Sequence, residues 1–177
     1  MKYSFRTFLL ITLALALLLS SCAKNGADGA PTGYVKASDE QADFTLYVPQ
    51  NWTIDLSSAA AGAYCSASDP SSVSVMAWEL PNADTTLDEW WELNRSEIES
   101  VFTEFAVVSD ENTTVDGLYA KKVVYTASIG GYAYQYMQVA AIKGTSVYLF
   151  TYASVEENYE THLEEVAKML EFLKIGS

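Results

Sequence analysis

An α+β domain, an antiparallel β-sheet covered by helices, is predicted by three features of the chain. Its strand-like segments alternate apolar and polar residues, two long segments carry apolar residues at helical spacing behind capping signatures, and tight Gly-containing turns join the later strands. Reading in order, "FTLYVP" alternates Phe44, Leu46 and Val48 and stops at Pro49, and "NWTIDL" alternates Trp52, Ile54 and Leu56. A small-residue strand around Tyr64 to Ser68 reaches the turn "SDPSS", and "SVSVMAWEL" follows as a further strand.

Thr86 and Glu89 then form a capping-box signature. Behind it Leu87, Trp90, Trp91, Asn94, Ile98, Val101, Phe102 and Phe105 fall close to 3.6-residue spacing, with Asn94 the one polar break. The chain becomes extended from Phe105 to Thr114 and turns at Asp116-Gly117. "LYAKKVVYTASI", "YAYQYMQVAAI" and "SVYLFTYAS" are separated by turns at Gly130-Gly131 and Lys143-Gly144, which makes an antiparallel meander. A second capping box, Ser154 with Glu157, opens a terminal helix with Val155, Tyr159, Leu163, Val166, Leu170 and Leu173 on one stripe.

Length and composition limit the function. A chain of 177 residues that is 50% hydrophobic builds one domain with a real core plus a short appendage. Acids outnumber bases 23 to 10, for a net charge of −13. That balance opposes binding to nucleic acid and to anionic membrane surfaces. Loss of residues 1 to 21 would remove Lys2 and Arg6 but no acid, leaving the body two charges more negative still.

The N-terminus has a basic head (Lys2, Arg6), an apolar run from Phe8 to Leu19, and then Ser20, Ser21 and Cys22. The apolar run would rise only about 18 Å as a helix, too short to span a bilayer. It therefore reads as a secretory signal. Leu19-Ser20-Ser21-Cys22 resembles the lipobox of bacterial lipoproteins. That resemblance implies cleavage before Cys22, a diacylglycerol thioether on its sulfur and further acylation such as palmitate. Two or more chains are needed for stable anchoring, since each buried methylene contributes only about 0.8 kcal/mol. Ala23 follows the cysteine, which in a two-membrane cell resembles sorting to the inner leaflet of the outer membrane. The expected organisation is a signal at 1–21, a lipidated flexible tether at 22–42 and the folded domain at 43–177. Cys65 is then left without an intrachain partner and is read as a buried structural thiol.

The segments "FTLYVPQNWTI", "TTLDEWWELNRSEI" and "YAYQYMQVAAIKGTSVYLFTYAS", with the terminal helix ending "MLEFLKI", resemble the PsbP-like superfamily over residues 43 to 175. The resemblance implies an α-β-α sandwich, non-enzymatic binding or assembly roles, and no catalytic set that transfers.

No catalytic or metal motif stands out. His162 is the only histidine, flanked by carboxylates on the last helix, and reads as a solvated or salt-bridged surface residue. There is no G-x-S-x-G, no P-loop, no dinucleotide glycine signature and no zinc spacing, so no cofactor and no metal are expected. Asp110, Glu111 and Asp116 lack the EF-hand pattern and read as a polar hairpin. The candidate binding surface is aromatic. Tyr132, Tyr134 and Tyr136 share one face of their strand, and Tyr148, Phe150 and Tyr152 share one face of the next. These rings are either core beneath a helix or the lining of an amphipathic groove, and register decides which face each set joins. Trp90 and Trp91 lie about 100° apart on one broad helix face, one of them at its rim.

The function expected is that of a membrane-anchored extracytoplasmic lipoprotein that binds or helps assemble a protein or cell-envelope component and is not an enzyme. A carboxylate-based envelope hydrolase and a passive surface lipoprotein are the contrasting readings.

Overall fold

The computed structural model describes residues 29–176. The signal, Cys22 and the first part of the expected tether lie outside the described residues. The ordered body begins earlier than residue 43. Strand β1 (Tyr34–Lys36) pairs antiparallel with β3 (Tyr47–Pro49), and Ala37 is in the core. The tether boundary at residue 42 is thereby corrected. Its Ala/Gly/Ser composition looks unstructured, but Tyr34 and Val35 find apolar neighbours only tertiary structure could supply.

Between them, β2 (Phe44–Thr45) pairs with the C-terminal β11 (Lys174–Ile175), which ties the two ends of the domain together. The main sheet holds β4 (Thr53–Ile54), β5 (Ala61–Tyr64), β6 (Ser72–Glu79), β7 (Thr103–Val115), β8 (Leu118–Ile129), β9 (Tyr132–Lys143) and β10 (Ser146–Val155). Their order is β4-β5-β6-β10-β9-β8-β7, and every pairing is antiparallel. The predicted turns carry this meander. Asp116 and Gly117 both have positive φ (48° and 75°), the conformation a two-residue hairpin turn requires.

Helix α1 (Leu87–Val101) starts at the predicted capping box: Glu89 N–H donates to Thr86 Oγ1, and Thr86 N–H donates to Glu89 Oε2. It ends at Val101, before Phe105. Phe105 instead sits on β7, where its ring packs 5.1 Å from that of Tyr125. The helical spacing therefore continued past the helix because strand and helix supply rings to the same layer. The second capping box does not form. Strand β10 runs on to Val155, a 3₁₀ helix covers Glu156–His162, and α2 spans Leu163–Phe172. Ser154 turns inward, its hydroxyl 2.7 Å from that of Ser71, and so cannot cap.

Two layers of helix sandwich the sheet. On one face α1 buries Trp91 and Ile98 against Val123, Tyr125 and Ala127, and Leu87 against Ala140, Val147 and Leu149. On the other face α2 and the 3₁₀ helix bury Tyr159, Val166 and Met169 against Val75, Val139, Phe150 and Tyr152, together with Leu46, Val48 and Trp52. Among the described residues no helix is long and apolar enough to cross a membrane.

Candidate functional site

The aromatic residues singled out in the sequence do not form one surface. The turn joining β9 to β10 pairs Lys143 with Ser146, so Tyr148 faces Ala141, Phe150 faces Val139 and Tyr152 faces Met137. Directly opposed residues share a face of the sheet. Tyr148, Phe150 and Tyr152 therefore lie on the α2 side, while Tyr132, Tyr134 and Tyr136 lie on the α1 side. Tyr148 and Tyr152 are core and are withdrawn as binding-surface candidates. Tyr152 is 0% exposed and donates its hydroxyl to the Tyr159 carbonyl (2.9 Å). The Tyr148 hydroxyl donates to Asp43. Burial and this carboxylate push the Tyr148 phenol up to about 12.

On the α1 side, Tyr136 stacks on Tyr125, with centroids 5.0 Å apart, and so is also largely structural. Tyr134 is half-buried beside it, and only Tyr132, at the hairpin tip, is open at 69%. The two tryptophans divide. Trp91 is 3% exposed beneath α1 and is likewise withdrawn. Trp90 is half-buried at the rim, where with Trp78, Leu93 and Asn94 it lines a shallow hollow of about 250 Å³. Asn94, the polar break of the helical stripe, donates to the buried Gln138 side chain at 3.0 Å.

A larger concavity was not anticipated. A cleft of about 680 Å³ opens on the α2 side, where the helix stops short of the outer strands. Met137 and Val139 of β9 form its floor, Leu163, Ala167 and Leu170 of α2 one wall, and Thr113 to Gly117 the other. Lys122, Glu171 and Lys174 bring charge to its lining. An apolar floor with a few polar groups, in this range of volume, is the usual form of a ligand cleft. Its Asp116 is already committed: one carboxylate oxygen accepts from Lys174 (2.9 Å) and the other from the Ile175 N–H (3.0 Å). Burial raises the Asp116 carboxyl, but these donors outweigh it and hold it below the usual range. The residue latches β11 in place.

The second unanticipated feature lies at the N-terminal end of α2. His162 is not on the surface, as the sequence suggested, but is 8% exposed. Its Nε2 is 2.9 Å from Asp69 Oδ2 and its Nδ1 is 3.0 Å from Glu165 Oε2. Burial lowers the imidazole, but the bonds to Asp69 and Glu165 outweigh it and raise it above its ordinary value. Asp69 is raised by burial and lowered further by His162 and Ser71, ending at about 2. The tight turn from Cys65 to Ser71 places Asp69 here: Asp69 N–H donates to Ser66 Oγ (3.1 Å), and Ser71 Oγ donates to Asp69 Oδ1 (2.6 Å). Cys65, expected as a buried thiol, is half-buried in the same cluster. Burial first, then the charges of Asp69 and Glu165, push its thiol up, so it is a poor nucleophile. Asp69 and His162 are 93 positions apart, a separation that local spacing motifs do not bridge.

No family model and no curated protein matches the chain. Solved structures do. Cyanobacterial PsbP (CyanoP) from Synechocystis sp. PCC 6803 superposes with a TM-score of 0.60 at 14% identity, covering 89% of this chain and 98% of that one. LpqN of Mycobacterium tuberculosis, described as involved in cell envelope biogenesis, gives 0.59 at 14% identity, covering 81% and 91%. PA94 of Pseudomonas aeruginosa, described as a putative regulator of unknown function, gives 0.52 at 11%, covering 78% and 94%. The chain thus has the PsbP-like α+β fold.

Proposed function

We propose that the chain is an extracytoplasmic, non-enzymatic module, lipid-anchored to a membrane through Cys22, that binds a protein or cell-envelope component in the cleft beneath α2. The cleft carries this reading, because it is concave, floored by Met137 and Val139, and lined with charge of both signs. Of its two lining acids, Asp116 is consumed by the latch to Lys174 and Ile175, which leaves Glu171 without a free carboxylate partner and favours holding a ligand over hydrolysing one. LpqN, with its cell-envelope description, supports an envelope setting.

The described chain enters the fold close to the cleft. Strand β1 enters the fold beside the C-terminal end of α2, where the ring of Tyr34 lies 6.2 Å from that of Phe172. Leu170, Glu171 and Lys174, close by in the chain, line the cleft. From Cys22 to Gly29 even a fully extended chain spans at most about 25 Å, which keeps the body near the membrane. An acidic body is repelled by anionic headgroups, so lipid chains supply the attachment.

Two experiments test this reading. Cys22→Ser should abolish incorporation of labelled palmitate and move the protein from the membrane to the soluble fraction. Undiminished labelling would overturn the anchor. For the cleft, a photoreactive phenylalanine analogue at Ala167 should trap a discrete adduct in intact cells, while the same probe at Ser100 on the exposed face of α1 should not. Equal labelling from both positions, or none from Ala167, would remove the cleft from the proposal.

A further inference from the structure

We propose that Cys65, Asp69 and His162 bind one Zn²⁺ ion, with Glu165 orienting the histidine and a solvent-derived fourth ligand. The site shares no residue with the cleft lining. One ligand atom from each of the three residues lies within 4.8 Å of the others. Two come from a single tight turn, in which Ser66 N–H donates to the Asp69 carbonyl (3.0 Å) and Cys65 N–H donates to the Ser71 carbonyl (2.8 Å). The third arrives from the end of the 3₁₀ helix.

Little movement is needed. Two ligands about 2.0–2.1 Å from a tetrahedral zinc ion are about 3.3 Å apart. The 2.9 Å contact between Asp69 Oδ2 and His162 Nε2 therefore has to open by only a few tenths of an ångström. A sulfur about 2.3 Å from the metal sits about 3.5 Å from such ligands, within reach of a side-chain rotation of the half-buried Cys65. On binding, the Sγ–H and Nε2–H protons pass to solvent while Nδ1–H goes on donating to Glu165. The ion then faces one thiolate, one carboxylate and one neutral imidazole, which balance its two positive charges.

The surroundings are those a ligating histidine needs. Glu165 Oε2 sits 3.0 Å from Nδ1, which fixes the tautomer with Nε2 free for metal. Trp52 Nε1 donates to the same Glu165 oxygen (3.2 Å), and Ser71 Oγ donates to the Asp69 oxygen that faces away from the histidine. Thiolate with imidazole selects zinc over magnesium and calcium, which prefer all-oxygen sites. Three protein ligands with one open position match catalytic and exchangeable zinc sites better than closed structural ones.

Cobalt(II) titration of the reduced full-length protein tests the proposal. One equivalent of Co²⁺ should produce a near-ultraviolet thiolate-to-cobalt band, removed by Zn²⁺ and unaffected by a large excess of Mg²⁺ or Ca²⁺. Cys65→Ser should lose the band while Cys22→Ser keeps it, and His162→Gln should weaken Co²⁺ binding at least tenfold. Circular dichroism establishes that each variant is folded. A second readout needs no variant. The Trp52 ring lies 5.4 Å from that of His162, so Co²⁺ should quench tryptophan fluorescence saturably with the same midpoint as the band. Persistence of the band in folded Cys65→Ser, its displacement by Mg²⁺ or Ca²⁺, or absence of both band and saturable quenching in the unmutated protein would overturn the site.

Discussion

Tyr152→Ala is expected to destabilise the domain by about 3–5 kcal/mol, the range for removing a fully buried aromatic side chain. The residue is 0% exposed, packs 5.1 Å from Tyr159 ring to ring, and satisfies the Tyr159 carbonyl with its hydroxyl. The truncation therefore leaves a cavity and removes a buried hydrogen bond, and the second loss adds to the first. Tyr152→Phe separates them. It keeps the ring and should cost about 1–2 kcal/mol through the lost hydrogen bond alone. Tyr132→Ala, at a tip that is 69% exposed, should shift stability by less than about 0.5 kcal/mol. Urea unfolding of the three variants checks the order, and equal losses at Tyr132 and Tyr152 would contradict the register of β9 and β10.

The second large effect is electrostatic and depends on pH. In chelator-treated protein, Asp69→Ala should cost about 2–4 kcal/mol at pH 6, because it leaves the buried imidazolium with Glu165 as its one carboxylate partner and the Ser71 hydroxyl with Ser154 alone. Partial solvent access at Asp69 keeps the figure below that of a fully buried pair. The sign of the pH dependence follows from the two shifts. His162 is raised in the folded state, so its contribution is complete below its ordinary value near 6.5 and is lost as pH rises through the folded value. Asp69 is lowered to about 2, so its contribution is complete above its ordinary value near 3.8 and is lost as pH falls towards 2. The pair is therefore strongest from about pH 4 to 6.5. A melting-temperature profile should fall on the alkaline side of that window, and His162→Gln should flatten that limb. An unchanged limb in the variant would show that the imidazolium does not carry it.

Much of the fold could be read from local chemistry. The capping box of α1, the positive-φ turn at Asp116-Gly117 and the alternation along β8, β9 and β10 each depend on residues within a few positions of one another. Even the division of the tyrosines was implicit. A two-residue turn opposes one even-numbered and one odd-numbered residue all along a hairpin. The even-numbered rings of β9 and β10 must then lie on opposite faces, as the pairing of Tyr152 with Met137 requires. The failed capping box at Ser154 has the opposite origin, because Ser71, in the turn before β6 and far away in the chain, takes its hydroxyl.

The sequence by itself determined the fold class, the start of α1, the turns and the acidic character of the body, since all of these depend on short-range sterics, periodicity and charge. Only the tertiary structure decided where a ligand could sit. The cleft exists because α2 ends its coverage short of β7 and β8, a matter of how a helix lies across a sheet and not of any motif. Cys65, Asp69 and His162 converge because a turn after β5 and the end of the 3₁₀ helix pack directly against each other. Such meetings depend on packing among residues far apart in the chain, and no local spacing records them.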